Sequence, residues 1–250
     1  MAEHFTSRSD SEVVGVQFQT TQWGLVMPTA DQRSKTAQAA LEQLCRIYWY
    51  PIYAFVRRQG QTVENAQDLT QEFFLRVLQD NYFQVADPQR GRLRSFLLTS
   101  LKHFLINEWE KARTAKRGGA QSIFSLDEQD AEGRYLTEPI DGMSPEKVYE
   151  KRWAVTLLEQ ALARLRAEYA KQNNGAMFDA LKPFISGETA EGGYGALAQR
   201  FEMSEGSLRV AAHRLRERYR EALRTEVAST LATPTDIDDE LRHLMIVLQS

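Results

Sequence analysis

Arg90, Arg92 and Arg94 stand at alternate positions, and Lys102, Lys111, Arg113, Lys116 and Arg117 follow before the stretch ends at Gly119. Those eight cations meet two anions, Glu108 and Glu110, in a chain whose formal net charge is -3. Guanidinium and ammonium groups at this density hold phosphates. A local basic surface on a mildly acidic protein is the electrostatic footprint of nucleic-acid binding. Thr99, Lys102, His103, Ile106, Glu110 and Arg113 recur at spacings of three and four, so they share one side of a helix. Cations on such a face grip the backbone, and its hydrogen-bonding groups read bases. Tyr82, Phe83 and Phe96 lie close by. Each could stack on an unpaired base, worth roughly 1–3 kcal/mol, or pack in a core; both roles stay open.

Catalysis finds no matching pattern. His4, His103, His213 and His243 lie far apart without ligand spacing, and Cys45 is the single cysteine, too few for a zinc site. No Gly-x-Ser-x-Gly occurs. The glycines of SGETAEGGYG lack the Gly-Lys-Ser/Thr that completes a phosphate loop. The expectation is a binding protein, not an enzyme, that needs no cofactor. A single cysteine and no export signal fit a reducing cytoplasm.

The basic face needs a rigid carrier. Leu93, Leu97, Leu101, Leu105 and Trp109 sit four apart and predict one apolar seam of a long helix. Ahead of it, Ala37, Leu41, Leu44, Tyr48, Ile52 and Phe55 predict a helix that Pro51 kinks or divides, with Gly60 as its cap. Between the two, VENAQDLTQEFFLRVLQDN predicts a helix with Leu69, Phe73, Phe74, Val77 and Leu78 inward. Asp68, Gln71, Glu72, Leu75 and Gln79 then point elsewhere, as a docking surface or a solvated face.

A second basic pattern lies near the C-terminus. A short helix over 194–201 meets a turn at Glu202-Met203-Ser204, and Ser204 is placed to cap the next helix. There Leu208, Ala212, Leu215 and Tyr219 face one way, and Arg209, His213, Arg216 and Arg220 the other. Two helices, a short turn and arginines along one side make a helix-turn-helix pattern.

Residues 120–150 carry eight acidic and two basic residues with recurring Gly, Ser and Pro, which predicts a linker. The chain therefore reads as all-α. It has an N-terminal extension (1–30), a helical domain (31–118), an acidic linker (119–150), a helix-turn-helix domain (151–228) and a C-terminal helical extension (229–250). In the last of these, Thr235 is the expected N-cap, and Leu241, Leu244, Met245 and Leu248 are the expected apolar stripe.

Three stretches resemble one family in order. NAQDLTQEFFLRVL looks like regions 2.1 and 2.2 of bacterial RNA polymerase sigma factors, GRLRSFLLTSLKHFLINEWEKAR resembles regions 2.3 and 2.4, and YGALAQRFEMSEGSLRVAAHRLRERYREAL resembles region 4.2. The arrangement resembles the compact extracytoplasmic-function (ECF) type, in a subgroup with extensions at both ends. The likeness implies docking of the second helix on the beta-prime clamp helices of core polymerase, through Asp68, Leu69, Gln71, Glu72, Leu75 and Arg76. It implies that Arg90, Arg92, Arg94, Thr99, Lys102, His103, Asn107, Lys111 and Arg113 hold the nontemplate strand of a -10 element. It implies that Ser204, Glu205, Ser207, Arg209, Val210, His213, Arg214 and Arg216 read a -35 element in the major groove. The polymerase beta flap and an anti-sigma factor are further partners that it suggests.

The chain departs from the family pattern at Lys102-His103, where Arg-Asn is usual, at Asn107, where Asp is usual, and at Glu202, where the turn usually has glycine. The alternative reading is a helix-turn-helix regulator that acts without docking on polymerase; it leaves the 64–117 block without a role.

Overall fold

The computed structural model describes residues 35–79, 92–114, 128–137, 142–188, 193–231 and 236–249. Among these, every regular element is helical. The helices are α1 (Lys35–Arg58), α2 (Val63–Gln79), α3 (Leu93–Thr114), α4 (Glu128–Thr137), α5 (Pro145–Lys171), α6 (Gly175–Leu181), α7 (Gly193–Phe201), α8 (Glu205–Ser229) and α9 (Ile237–Gln249). A 3-10 turn, Lys182–Ile185, follows α6, where Pro183 prevents the helix from continuing.

Two hydrophobic clusters share two long helices. The larger cluster joins α1, α2, α3, Ala131 of α4, the first half of α5, Val227 and Leu231 at the end of α8, and Leu244 and Val247 of α9. The smaller joins the second half of α5 with α6, the 3-10 turn, α7 and the first half of α8. Helices α5 and α8 thus run from one cluster to the other, and Leu223 packs against both.

Helix α1 is the spine of the larger cluster. Leu44, Ile47, Tyr48, Ile52, Tyr53, Phe55 and Val56 are all buried, so most of its circumference is covered. Pro51 lies inside the helix without dividing it. A proline there forfeits one hydrogen bond and costs about 3 kcal/mol. Burying a side chain of the size of Ile52 or Phe55 returns roughly 1.5–3 kcal/mol each, so packing keeps the helix whole. Gly60 ends the segment at φ 86°, a left-handed position that favours glycine, as expected of the cap.

Helix α5 lies along α1 and straddles the expected domain boundary at 150/151. Ser144 caps it, accepting the Lys147 N–H, and Pro145 occupies its first turn. Val148, Tyr149, Trp153, Ala154 and Leu157 are buried toward the first helices, and Leu165 toward the helix-turn-helix.

Part of the expected linker is packed rather than solvated. Ala131 of α4 is buried, and Glu132 receives hydrogen bonds from Tyr53 Oη (2.5 Å) and from Arg57 Nε (3.0 Å) and Nη2 (2.7 Å). The Arg57 and Tyr53 hydrogen bonds hold the Glu132 carboxyl below the usual carboxylate range against the opposing effect of its burial. Residues 120–127 and 138–141 of the acidic stretch lie outside the described residues, as do residues 1–34 and Thr235.

Helix α9 departs from its expected stripe. Leu244 and Val247 are buried and Leu241 and Leu248 partly so, whereas Met245 is exposed. The face is rotated because α9 packs into the angle between α5 and α8.

Candidate nucleic-acid interface

The candidate site begins with two packed helices of unlike character, α2 and α3. Phe73, Phe74 and Val77 of α2 pack with Leu93, Leu97, Leu101, Phe104 and Leu105 of α3, and Phe73 and Phe104 have ring centroids 5.6 Å apart. Of the residues expected to dock on a partner, Asp68 is exposed, Leu69, Glu72, Leu75 and Arg76 are half-buried, and Gln71 is buried. Gln71 therefore corrects the expectation: the helix turns it inward beside Thr70, whose hydroxyl donates back to the Ala66 carbonyl. Leu69 also packs on the core, leaving Asp68, Glu72, Leu75 and Arg76 as the accessible set.

Arg76 is held from two helices. Its Nε lies 3.0 Å from Glu72 Oε1 and its Nη2 2.7 Å from Glu108 Oε1 on α3, with the guanidinium 4.9 Å from the Phe104 ring centroid. Burial alone would raise the Glu108 carboxyl, but hydrogen bonds from Lys111 and Arg76 carry it below its ordinary value.

Along α3 the solvent face carries Ser95, Thr99, His103, Ile106, Asn107, Glu110 and Lys111. The Thr99 hydroxyl donates to the Ser95 carbonyl, and Lys102 pairs with Glu146 of α5 at 2.7 Å. His103 and Asn107 are exposed. Trp109, expected in the apolar seam, is 39% exposed, and Ile106 is 49% exposed. The seam ends at Leu105 because α3 outruns the elements packed beneath it. Exposed Trp109 and Ile106 thus add apolar surface to the polar face, a feature that a strict four-residue register hides. The Arg113 backbone is helical; Arg90, Tyr82 and Phe83 lie outside the described residues.

Arg92 and Arg94 behave differently. Arg92 stands just before α3, where its carbonyl accepts the Phe96 N–H. Its Nε lies 2.8 Å from Glu240 Oε2 of α9. Arg94 is 5% exposed and is gripped by Glu150 of α5 at 2.5 Å and by Glu240 Oε1 at 2.7 Å. Its guanidinium stacks 5.1 Å from the Trp153 ring centroid, and its carbonyl accepts the Tyr149 hydroxyl. Burial would lower the Arg94 pKa; the Glu150 and Glu240 carboxylates outweigh it and hold the guanidinium charged. His243 of α9 completes the cluster, 2.9 Å from Glu150 Oε2. Arg92 is thus half-buried and Arg94 buried, and each pairs with carboxylates from elsewhere in the chain. Cations at a helix N-terminus are also disfavoured by the helix dipole, which these carboxylates offset. No local pattern marked Glu240, because its partner Arg94 lies 146 residues away.

The two helices and the Ser204 cap of the second basic pattern lie where the sequence predicts them. Helix α7 meets α8 through Glu202, Met203 and Ser204, and Glu202 adopts φ 53°. Ser204 caps α8 by accepting the Ser207 N–H at 3.1 Å. Leu208, Ala212 and Leu215 are buried on α7, α6 and the 3-10 turn. That places Glu205, Ser207, Arg209, Val210, His213, Arg214 and Arg220 in solvent, with Arg216 half-buried. Arg209 pairs with Glu205 at 3.3 Å and lies 5.2 Å from the Tyr194 ring centroid. Val210, 50% exposed, offers an apolar contact beside these polar groups. The arrangement presents hydrogen-bond donors, cations and one methyl surface along the first three turns of a capped helix, as major-groove readout requires.

Among the described residues no group of three or more His, Cys, Asp or Glu side chains could hold a metal ion, and no helix is long and apolar enough to cross a membrane. No curated protein and no solved structure matches the chain. Residues 48–115 match the family model described as Sigma-70 region 2. The matched span covers the second part of α1, α2, the connection to α3 and α3 itself, so this segment is similar to Sigma-70 region 2.

Proposed function

We propose that the chain is a sigma factor of the extracytoplasmic-function type, which binds core RNA polymerase, recognises -10 and -35 promoter elements and supports promoter opening. The observation that carries this reading is a Sigma-70 region 2 match over residues 48–115 in the same chain as a Ser204-capped helix-turn-helix. A regulator that used only the helix-turn-helix would leave the region 2 segment without a role.

In this reading Asp68, Glu72, Leu75 and Arg76 dock on the beta-prime clamp helices. Thr99, Lys102, His103, Asn107 and Lys111 face the nontemplate strand of the -10 element, with Ile106 and Trp109 alongside. Ser207, Arg209, Val210, His213 and Arg214 enter the major groove of the -35 element. The reaction chemistry belongs to the polymerase; the chain supplies binding and positioning.

The test is reconstitution. The purified chain should co-elute with bacterial core RNA polymerase and give run-off transcripts from a subset of genomic promoter fragments. Sequence-specific binding to duplex DNA, without co-elution or transcripts, would replace this reading with the regulator.

A further inference from the structure

Helix α9 places one carboxylate where it does two things at once. Glu240 is 1% exposed, and its two oxygens engage Arg94 at 2.7 Å and Arg92 at 2.8 Å. These arginines enter the basic stretch at the start of α3. The Glu240 carboxylate accepts a hydrogen bond from Arg94 Nε and pairs by charge with Arg92, so it competes with a phosphate, which guanidinium recognises through the same fork of N–H bonds as a carboxylate.

The helix that carries Glu240 is short. It has 13 residues, a length at which an isolated helix is marginal in water. Leu244 and Val247 are buried and Ile237, Leu241 and Leu248 pack partly buried on the larger cluster, while Met245 and Ile246 are 53% and 65% exposed. Its other cross-links to the rest of the chain include Arg224–Asp238 at 2.5 Å, between exposed side chains, and His243–Glu150. Elements with few buried contacts open at a lower free-energy cost than the core they cover. The α1–α3 core keeps its own aromatic packing, Phe73 on Phe104 and Trp49 stacked on Tyr53, none of which involves α9.

We propose that α9 is an autoinhibitory clasp. Glu240 neutralises Arg92 and Arg94 in the free chain, and release of α9 exposes them to the phosphates of a nucleic-acid strand. Arg94 keeps Glu150 as its second carboxylate until a phosphate takes that place, so its guanidinium charge stays compensated throughout. The proposal rests on the reading that the start of α3 contacts DNA.

The test compares the full-length chain with its Glu240→Gln variant, which keeps the side-chain shape and removes the charge. Binding to a short fluorescent single-stranded DNA oligonucleotide of mixed sequence is followed by anisotropy over a salt series. The variant should bind roughly tenfold more tightly at low salt, with a salt dependence steeper by about one phosphate contact or more. Equal affinities and equal salt slopes for two folded proteins overturn the clasp. Should the variant fail to fold, hydrogen exchange on the native chain decides. Amides of residues 237–249 should lose protection when saturating oligonucleotide is added, and unchanged protection with bound oligonucleotide overturns the proposal. Run-off transcription by the same wild-type preparation separates the two failures. Transcripts without a gain in DNA affinity overturn the clasp alone, whereas neither transcripts nor DNA binding overturns the sigma reading with it.

Discussion

Arg76 of α2 and Glu108 of α3 are joined at 2.7 Å, so the helix assigned to polymerase docking is tied directly to the helix assigned to DNA. Both side chains are about three-quarters buried, and Arg76 also covers the Phe104 ring. The pair ties α2 to α3.

A double-mutant cycle on Arg76→Ala and Glu108→Ala, read by urea denaturation, should give a coupling of about 1 kcal/mol at neutral pH. The Glu108 carboxyl titrates below its unfolded value, so its stabilisation is present above the usual glutamate range. It is lost as pH falls through the lower folded value. The coupling should shrink on acidification, and a coupling that is unchanged at acidic pH contradicts the ion-pair account.

Phe73→Ala removes a ring 1% exposed at the α2–α3 contact and should cost about 3–5 kcal/mol, seen as loss of cooperative unfolding or a large fall in midpoint. Glu72→Arg changes a half-buried position on the outer side of the same helix. It should leave the unfolding midpoint nearly in place and weaken polymerase binding. Wild-type polymerase affinity in a folded Glu72→Arg protein removes that helix from the docking surface.

Glu202 holds φ 53°, a conformation that strains side chains with a Cβ. Glu202→Gly relieves the strain and pays back part of the gain in chain entropy, for a net stabilisation of about 1 kcal/mol or less. Thermal unfolding of the two proteins measures it; destabilisation by glycine means that Glu202 makes a compensating contact.

Arg209→Ala should weaken binding to duplex containing the upstream element and leave polymerase co-elution unchanged. If Arg209 reads a base, the loss is about 1–3 kcal/mol and specificity relaxes at one position; if it holds a phosphate, all sequences weaken alike and the salt slope falls by about one. No effect on either removes Arg209 from the interface.

Periodicity alone located α1, α2, α3 and the helix-turn-helix, because each has an apolar stripe that must be buried. Ser204 and Gly60 marked ends for local reasons of hydrogen bonding and φ, and those reasons survive folding. What the sequence concealed was decided by distant partners. Gln71 lies in a polar stretch yet turns inward with Thr70. Trp109 continues a four-residue register yet emerges where α3 outruns its support. Arg92 and Arg94 look like free cations until α5 and α9 bring Glu150 and Glu240 against them. The acidic stretch reads as a tether, but Glu132 meets Arg57 and Tyr53, and α4 packs. The charge pairings are long-range and the exposure of Trp109 is a loss of neighbours at a helix end, neither of which a local pattern encodes.

The central claim is that this chain directs core RNA polymerase to promoters. The measurement that tests it most directly is run-off transcription with purified core enzyme, with and without the chain, from a library of genomic fragments. The account predicts discrete transcripts that appear only with the chain and share upstream sequence elements. Stable protein, active core enzyme and no chain-dependent transcript from any fragment would contradict it.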